Sequence, residues 1–246
     1  MSPTDNPMAA QPSLLGAQHA TDPELATLFQ HWVLDEVNAA APMDARLRWM
    51  VQLAALIACQ AEDAYGVHLE QALAVQLSAV EAREVLYQSV PYVGMGKVFG
   101  FLRITREVFQ RHGAPLPLPT QGTTTVQDRF EKGLSVQKHI FGERIEAAHA
   151  QAPQDQKHIQ RFLSANCFGD YYTRNGLDLR TRELLTFALL ASLGGCEPQV
   201  AAHVAGNLAF GNDRALLIAT ITQLLPYIGY PRTLNALRVI NEGTAL

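Results

Sequence analysis

Three side chains between residues 183 and 203 could do chemistry together: Glu183, Cys196 and His203. In the stretch GGCEPQVAAH, residues 194–203, the cysteine follows a double glycine, with Pro198 two residues and His203 seven residues further on. A cysteine at a helix start faces unpaired N–H groups and the positive end of the helix dipole, both of which favour a thiolate nucleophile. The same cysteine could serve as a small buried residue filling the gap beside two glycines. His203 stands about 10 Å along the helix axis from Cys196, too far to be its direct base. Its neighbour one turn earlier is Gln199. Glu183 lies in an otherwise apolar segment, where a carboxylate is costly unless paired. Arg180 or Arg182 could pair with it across the helix start; alternatively its pKa is raised and it exchanges protons with His203. The stretch thus admits a redox site, an acid/base site, or only a helix start.

Helices must position these groups. Asp178 can cap a helix whose Leu184, Leu185, Phe187, Ala188, Leu189 and Leu190 cover most of its circumference, which predicts deep burial. Gly194 and Gly195 end it. The next helix begins near Cys196 with Pro198 in its first turn. Asp213 caps a third helix, RALLIATITQLLPYIG, which Pro226 is expected to kink or end, and RTLNALRVINE forms a fourth. Little in the chain alternates as a β-strand does.

The chain also repeats itself. YQSVPYVGMGKVFGFLRITRE from Tyr87 aligns without gaps on TQLLPYIGYPRTLNALRVINE from Thr222 at an offset of 135. The pairs include Pro91-Tyr92 with Pro226-Tyr227, Gly94 with Gly229, and His68 with His203. DARLRWMVQLAALIA from Asp44 matches DLRTRELLTFALLAS from Asp178 at an offset of 134. Trp49 therefore stands where the second copy has Glu183, and no thiol corresponds to Cys196. Residues 1–24 read as a poorly ordered tail, 25–110 as the first repeat, 111–130 as a Pro-, Thr- and Gly-rich linker, and 131–246 as the second repeat, opening with two further helices. The expected fold is all-α, two tandem repeats, with buried helix faces that imply packing in an oligomeric bundle.

Bulk properties exclude several partners. The 246 residues are 48% hydrophobic and 17% charged, which suits a globular protein. A net charge of −4 offers no basic footprint for nucleic acid. The longest apolar run, from Leu184, is well short of the ~20 residues of a membrane helix, so no membrane partner is expected. Three cysteines without an export signal point to reduced thiols in the cytoplasm. Cys59, Cys167 and Cys196 are scattered, with no CxxC, so no metal site and no cofactor are expected.

RTRELLTFALLASLGGCEPQVAAHVAGN and LPYIGYPRTLNALRVIN resemble the carboxymuconolactone decarboxylase family, which includes the alkylhydroperoxidase D enzymes. The resemblance covers residues 160–242 and, more weakly, 44–108. It implies alkylhydroperoxidase D-like helical repeats, with tandem-copy members similar to homotrimers. The peroxidase branch carries a Glu ahead of a CxxC pair and a His four residues past the second cysteine. These fall on Glu183, Cys196 and His203, but the second cysteine falls on Gln199, which argues against the standard peroxidase cycle. A thiol cycle would need Cys167 as a distant redox partner.

The decarboxylase branch needs no thiol pair. The resemblance implies a cofactor-independent lyase on a small cyclic lactone carboxylate, with His203 as proton donor, Glu183 tuning it, and Arg180, Arg182, Tyr171 and Tyr172 among the substrate-binding residues. The alternatives are a thiol-dependent peroxidase through Cys196 and a non-catalytic oligomeric binding protein.

Overall fold

The computed structural model describes residue 15, residues 20–75 and residues 77–244. The expected tail falls mostly outside the described residues. All regular structure among the described residues is helical. Helix α1 (Pro23–His31) runs through a π-helical stretch (Trp32–Val37) into the short α2 (Asn38–Ala40). The first repeat continues with α3 (Ala45–Ala58), α4 (Glu62–Val75), α5 (Ala79–Val93) and α6 (Met95–Arg111). Helices α7 (Arg129–Phe141), α8 (Arg144–Gln151) and α9 (Lys157–Phe162), the last extended by a π-helical stretch (Leu163–Tyr172), lead to α10 (Leu179–Leu193), α11 (Glu197–Ala209) and α12 (Arg214–Gly243). None of the described helices is long and apolar enough to cross a membrane.

The caps sit where side-chain acceptors precede apolar runs. Asp44, Asp178 and Asp213 accept from the backbone N–H three residues on. Gly194 and Gly195 end α10 at φ 73° and 71°, a left-handed backbone that favours glycine. Cys196 is the N-cap of α11, and Pro198 sits in its first turn. Two expectations need correction. Pro226 does not end its helix: the break comes at Gly229, φ 76°, because a proline ring removes one hydrogen bond whereas a positive φ leaves the helical region altogether. Gly94, φ 88°, makes the same break between α5 and α6. Of the two helices expected after the linker, the first, RFEKGLSVQKHIFGERIEAAHAQAP, is divided at Gly142, φ 75°, into α7 and α8.

Helices α3 and α10, equivalent by the duplication, pack along each other at the centre. One hydrophobic core runs through both repeats, from Trp49 and Leu53 to Phe187, Leu217 and Ile240. The burial of α10 on all sides is therefore satisfied within a single chain, where the sequence pattern suggested a subunit interface. The linker lies as a strap: Arg83 donates to the carbonyls of Leu118 and Pro119, and Thr124 to that of Gly169.

A buried ion pair ties the repeats together. Glu84 of α5, with its side chain fully buried, accepts from Arg174 Nε and Nη2, both at 2.9 Å, and from Arg182 Nη2 at 3.1 Å. Excluded from water, Glu84 and Arg182 need each other's charge.

Candidate active site

Glu183 lies on the fifth residue of α10, fully buried. Its Oε2 is 2.9 Å from His203 Nδ1 on α11, and its Oε1 accepts from Tyr172 O–H at 2.8 Å. The expected acid/base pair is thus brought together. The expected pairing of Glu183 with Arg180 or Arg182 is not, because both guanidinium groups are committed elsewhere. Arg180 donates to Asn212 Oδ1 and to the carbonyl of Gly211, fastening α10 to the turn before α12. Arg182 reaches Glu183 only through a chain. It donates to Gln88 Oε1 at 2.9 Å, Gln88 Nε2 donates to Thr186 Oγ1 at 3.2 Å, and Thr186 Oγ1 is 2.7 Å from Tyr172 O–H. Tyr172 has one proton, and giving it to Glu183 makes its oxygen the acceptor for Thr186 and for Tyr92, 3.2 Å away. Every donor in this buried chain points toward the carboxylate.

Helix α11 can approach this closely because of Gly206, where a Cβ would overlap Glu183 Oε2. Asn207 fixes the register: its Nδ2 donates to the carbonyls of Glu183 and His203, at 3.0 and 2.7 Å. With Nδ1 turned to Glu183, the other ring nitrogen of His203 is left on the side of a cavity of about 270 Å³. Phe141, Ile145, Leu163, Phe168 and Leu190 form its apolar wall; Tyr92, Cys167, Gln137, Gln199 and Arg144 supply the polar groups. The imidazole stands edge-on to Phe141 and Tyr92, with centroids 5.3 and 5.9 Å away.

The cysteines divide. Cys167 lines the cavity and donates to Tyr92 Oη at 3.5 Å, but burial pushes its thiol up to about 12. Cys196 opens on a separate, much smaller cavity beside Arg232 and Asn235 and donates to the carbonyl of Leu190. Burial first, then Glu197, raises its pKa, so the thiolate expected from the helix start is not favoured. Gln199, at the position of the peroxidase branch's second cysteine, faces the cavity, whereas Cys196 does not. Tyr172 belongs to the carboxylate's support; Tyr171 is only half-buried and lies outside the cavity lining. Among the described residues no three His, Cys, Asp or Glu side chains converge as a metal site.

Sequence reasoning missed Arg144, Gln137 and Tyr92. Tyr92 had a signal, its pairing with Tyr227. Tyr227 of the second repeat stands beside His68 as Tyr92 of the first stands beside His203, so each repeat lends a tyrosine to the other's histidine. Arg144 and Gln137 lie on helices outside the duplicated blocks. In the first repeat Trp49 occupies the place of Glu183, edge-on to His68 at 5.7 Å. His68 bonds the carbonyl of Ala64 and Tyr227 Oη, both at 3.1 Å, and burial pushes it down to about 4.

This doubled helical core, with a Glu–His pair in one copy, is matched by the family model described as the carboxymuconolactone decarboxylase family, over residues 23–107 and again over 157–242. The chain belongs to that family, as a tandem two-copy member. It is similar to the 4-carboxymuconolactone decarboxylase of Acinetobacter baylyi, 27% identical over 117 residues that make up 47% of this chain and 87% of that protein.

Proposed function

We propose that the protein is a cofactor-independent lyase that decarboxylates a small cyclic lactone carboxylate in the second-repeat cavity. The observation that carries this reading is the Glu183–His203 pair, 2.9 Å apart, with the imidazole at the wall of a mostly apolar cavity. In the proposed step the C–CO₂⁻ bond breaks, CO₂ leaves, and its electron pair passes into the unsaturated lactone as a dienolate. His203 gives a proton from Nε2 to carbon and is reprotonated from solvent, while Glu183 holds the ring by Nδ1. Apolar walls disfavour the charged carboxylate relative to the delocalised product. Arg180 and Arg182, expected to bind substrate, are replaced in this reading by Arg144, whose guanidinium lies at the cavity wall, 5.3 Å over the Phe141 ring, and can anchor a carboxylate that is not lost.

The same reading assigns residues 25–110 to a silent repeat, 111–130 to the linker and 131–246 to the working repeat, in a cytoplasmic protein whose three cysteines are free thiols. It includes a homotrimer. Met95 and Phe99 are exposed at positions equivalent by the duplication to the exposed Tyr230 and Leu234, and apolar patches of this kind favour self-association.

A thiol-dependent peroxidase is less well supported, since it needs an accessible thiolate and both candidate thiols are raised by burial. A non-catalytic scaffold would bury the Glu–His pair away from any cavity.

The test is turnover of 4-carboxymuconolactone, followed by CO₂ release. His203→Ala is expected to lose roughly 10²–10⁴-fold in rate, and Cys196→Ser to stay within about twofold of wild type because its thiol lies outside the cavity. The reverse ranking would sink the lyase in favour of thiol chemistry.

A further inference from the structure

Gln137 on α7 is 4% exposed and lines the same cavity as His203. Its Oε1 accepts from Ser164 Oγ at 2.6 Å, and Ser164 Oγ is 2.9 Å from His149 Nε2. A serine has one hydroxyl proton. Given to Gln137, it leaves the oxygen of Ser164 to accept from His149 Nε2–H, so the chain runs in one direction and fixes which end of the amide is held. Ser164 has no room to move. It is fully buried where α7 crosses the π-helical stretch backbone to backbone, and a Cβ on Gly133 there would overlap the carbonyl of Ser164.

The amide nitrogen of Gln137 is the end left over. It has no hydrogen-bond partner among the described residues, on a side chain almost wholly buried at the wall of the cavity. A donor held in one orientation beside an apolar wall is matched by a ligand oxygen and penalises a ligand that lacks one.

We propose that Gln137 is a specificity-determining residue: its Nε2–H donates to an oxygen of the bound lactone or carboxylate, held in that orientation by Ser164 and His149, while Arg144 beyond the Gly142 turn anchors a second oxygen. The inference rests on the lyase reading. It selects ring substrates with two oxygen acceptors over rings with one.

The test uses the full chain, titrated with muconolactone, a lactone carboxylate without the labile carboxyl group, and assayed with 4-carboxymuconolactone. Gln137→Glu keeps the oxygen that accepts from Ser164 and replaces the donor with an acceptor. Kd and KM are expected to rise about tenfold or more, with kcat within about threefold and the melting midpoint within a few degrees of wild type. Where the added charge unfolds the site, the neutral Gln137→Met removes the donor and the same rise in Kd is expected. A Gln137→Glu protein that binds and turns over as wild type does would assign the residue to holding Ser164 alone and overturn the proposal. Wild-type protein that neither binds muconolactone nor turns over 4-carboxymuconolactone overturns the lyase reading, and this proposal with it.

Discussion

Gly206 and Glu183 face each other with no room between them: any side chain at 206 would overlap the carboxylate oxygen that meets His203. Ile140 Cγ2, 3.1 Å from the same point, closes the other way out. Gly206→Ala is therefore expected to push Glu183 off His203, to cost about 1–3 kcal/mol as overpacking, and to reduce kcat while leaving a folded chain. Thermal melts and turnover measured together check this; an alanine variant with full activity would mean the pair does not need its observed geometry.

Glu84 ties the first repeat to the partly exposed Arg174 and to Arg182, which like Glu84 has no contact with solvent. Glu84→Ala leaves the fully buried Arg182 charge without its carboxylate partner and is expected to destabilise by about 3–5 kcal/mol, lowering the melting midpoint by roughly 6–20 °C for a chain of this size. Denaturant unfolding measures it. Loss of less than about 1 kcal/mol would reclassify the pair as screened by solvent.

Cys196 is expected to alkylate slowly at neutral pH. Burial and Glu197 both raise its pKa, so the thiolate fraction grows only on the alkaline side of its ordinary titration. Iodoacetamide labelling followed by mass spectrometry from pH 5 to 10 should give a rate still rising at the upper end, with Cys167 slower still. A plateau for Cys196 reached below pH 8 would contradict the burial argument and revive thiol chemistry.

His68 makes stability depend on pH. Burial against Trp49 and Tyr227 holds it down at about 4, outweighing the hydrogen bond to the Ala64 carbonyl, which raises it, while the unfolded chain titrates near the ordinary histidine value of about 6.5. Between those values the unfolded state binds the extra proton, so stability is complete above the unfolded pKa and falls as pH drops toward 4, by up to about 1.4 kcal/mol per pH unit. Urea unfolding of wild type and His68→Gln at pH 7 and pH 5 isolates the contribution. Equal slopes in the two proteins would remove His68 as its source.

Much of this was legible in one dimension. The duplication, the aspartate caps, the glycine stop after α10 and the pairing of His68 with His203 all depend on side-chain type and spacing along the chain, which act locally. Glu183 stood out because a carboxylate within an apolar run demands a partner. Which partner it takes is not a local matter. Arg180 and Arg182 are near in sequence, yet α10 turns Arg182 toward Glu84 and Gln88 of the other repeat and leaves Glu183 facing α11.

The sequence alone could therefore specify helices, their ends and a two-copy core, since propensity, capping and hydrophobic period are properties of neighbouring residues. It could not decide which groups surround His203. Tyr92 comes from the other repeat, and Gln137 and Arg144 from helices with no counterpart in the duplication. Only the packing of α7 against α11 and the π-helical stretch, with α8 following α7 and α5 meeting the same stretch, puts them at one cavity. The same packing places Cys196 outside that cavity, although it is only seven residues from His203. The cause is that Cys196 caps α11 at the end of α10, while His203 lies two turns further on, facing Glu183.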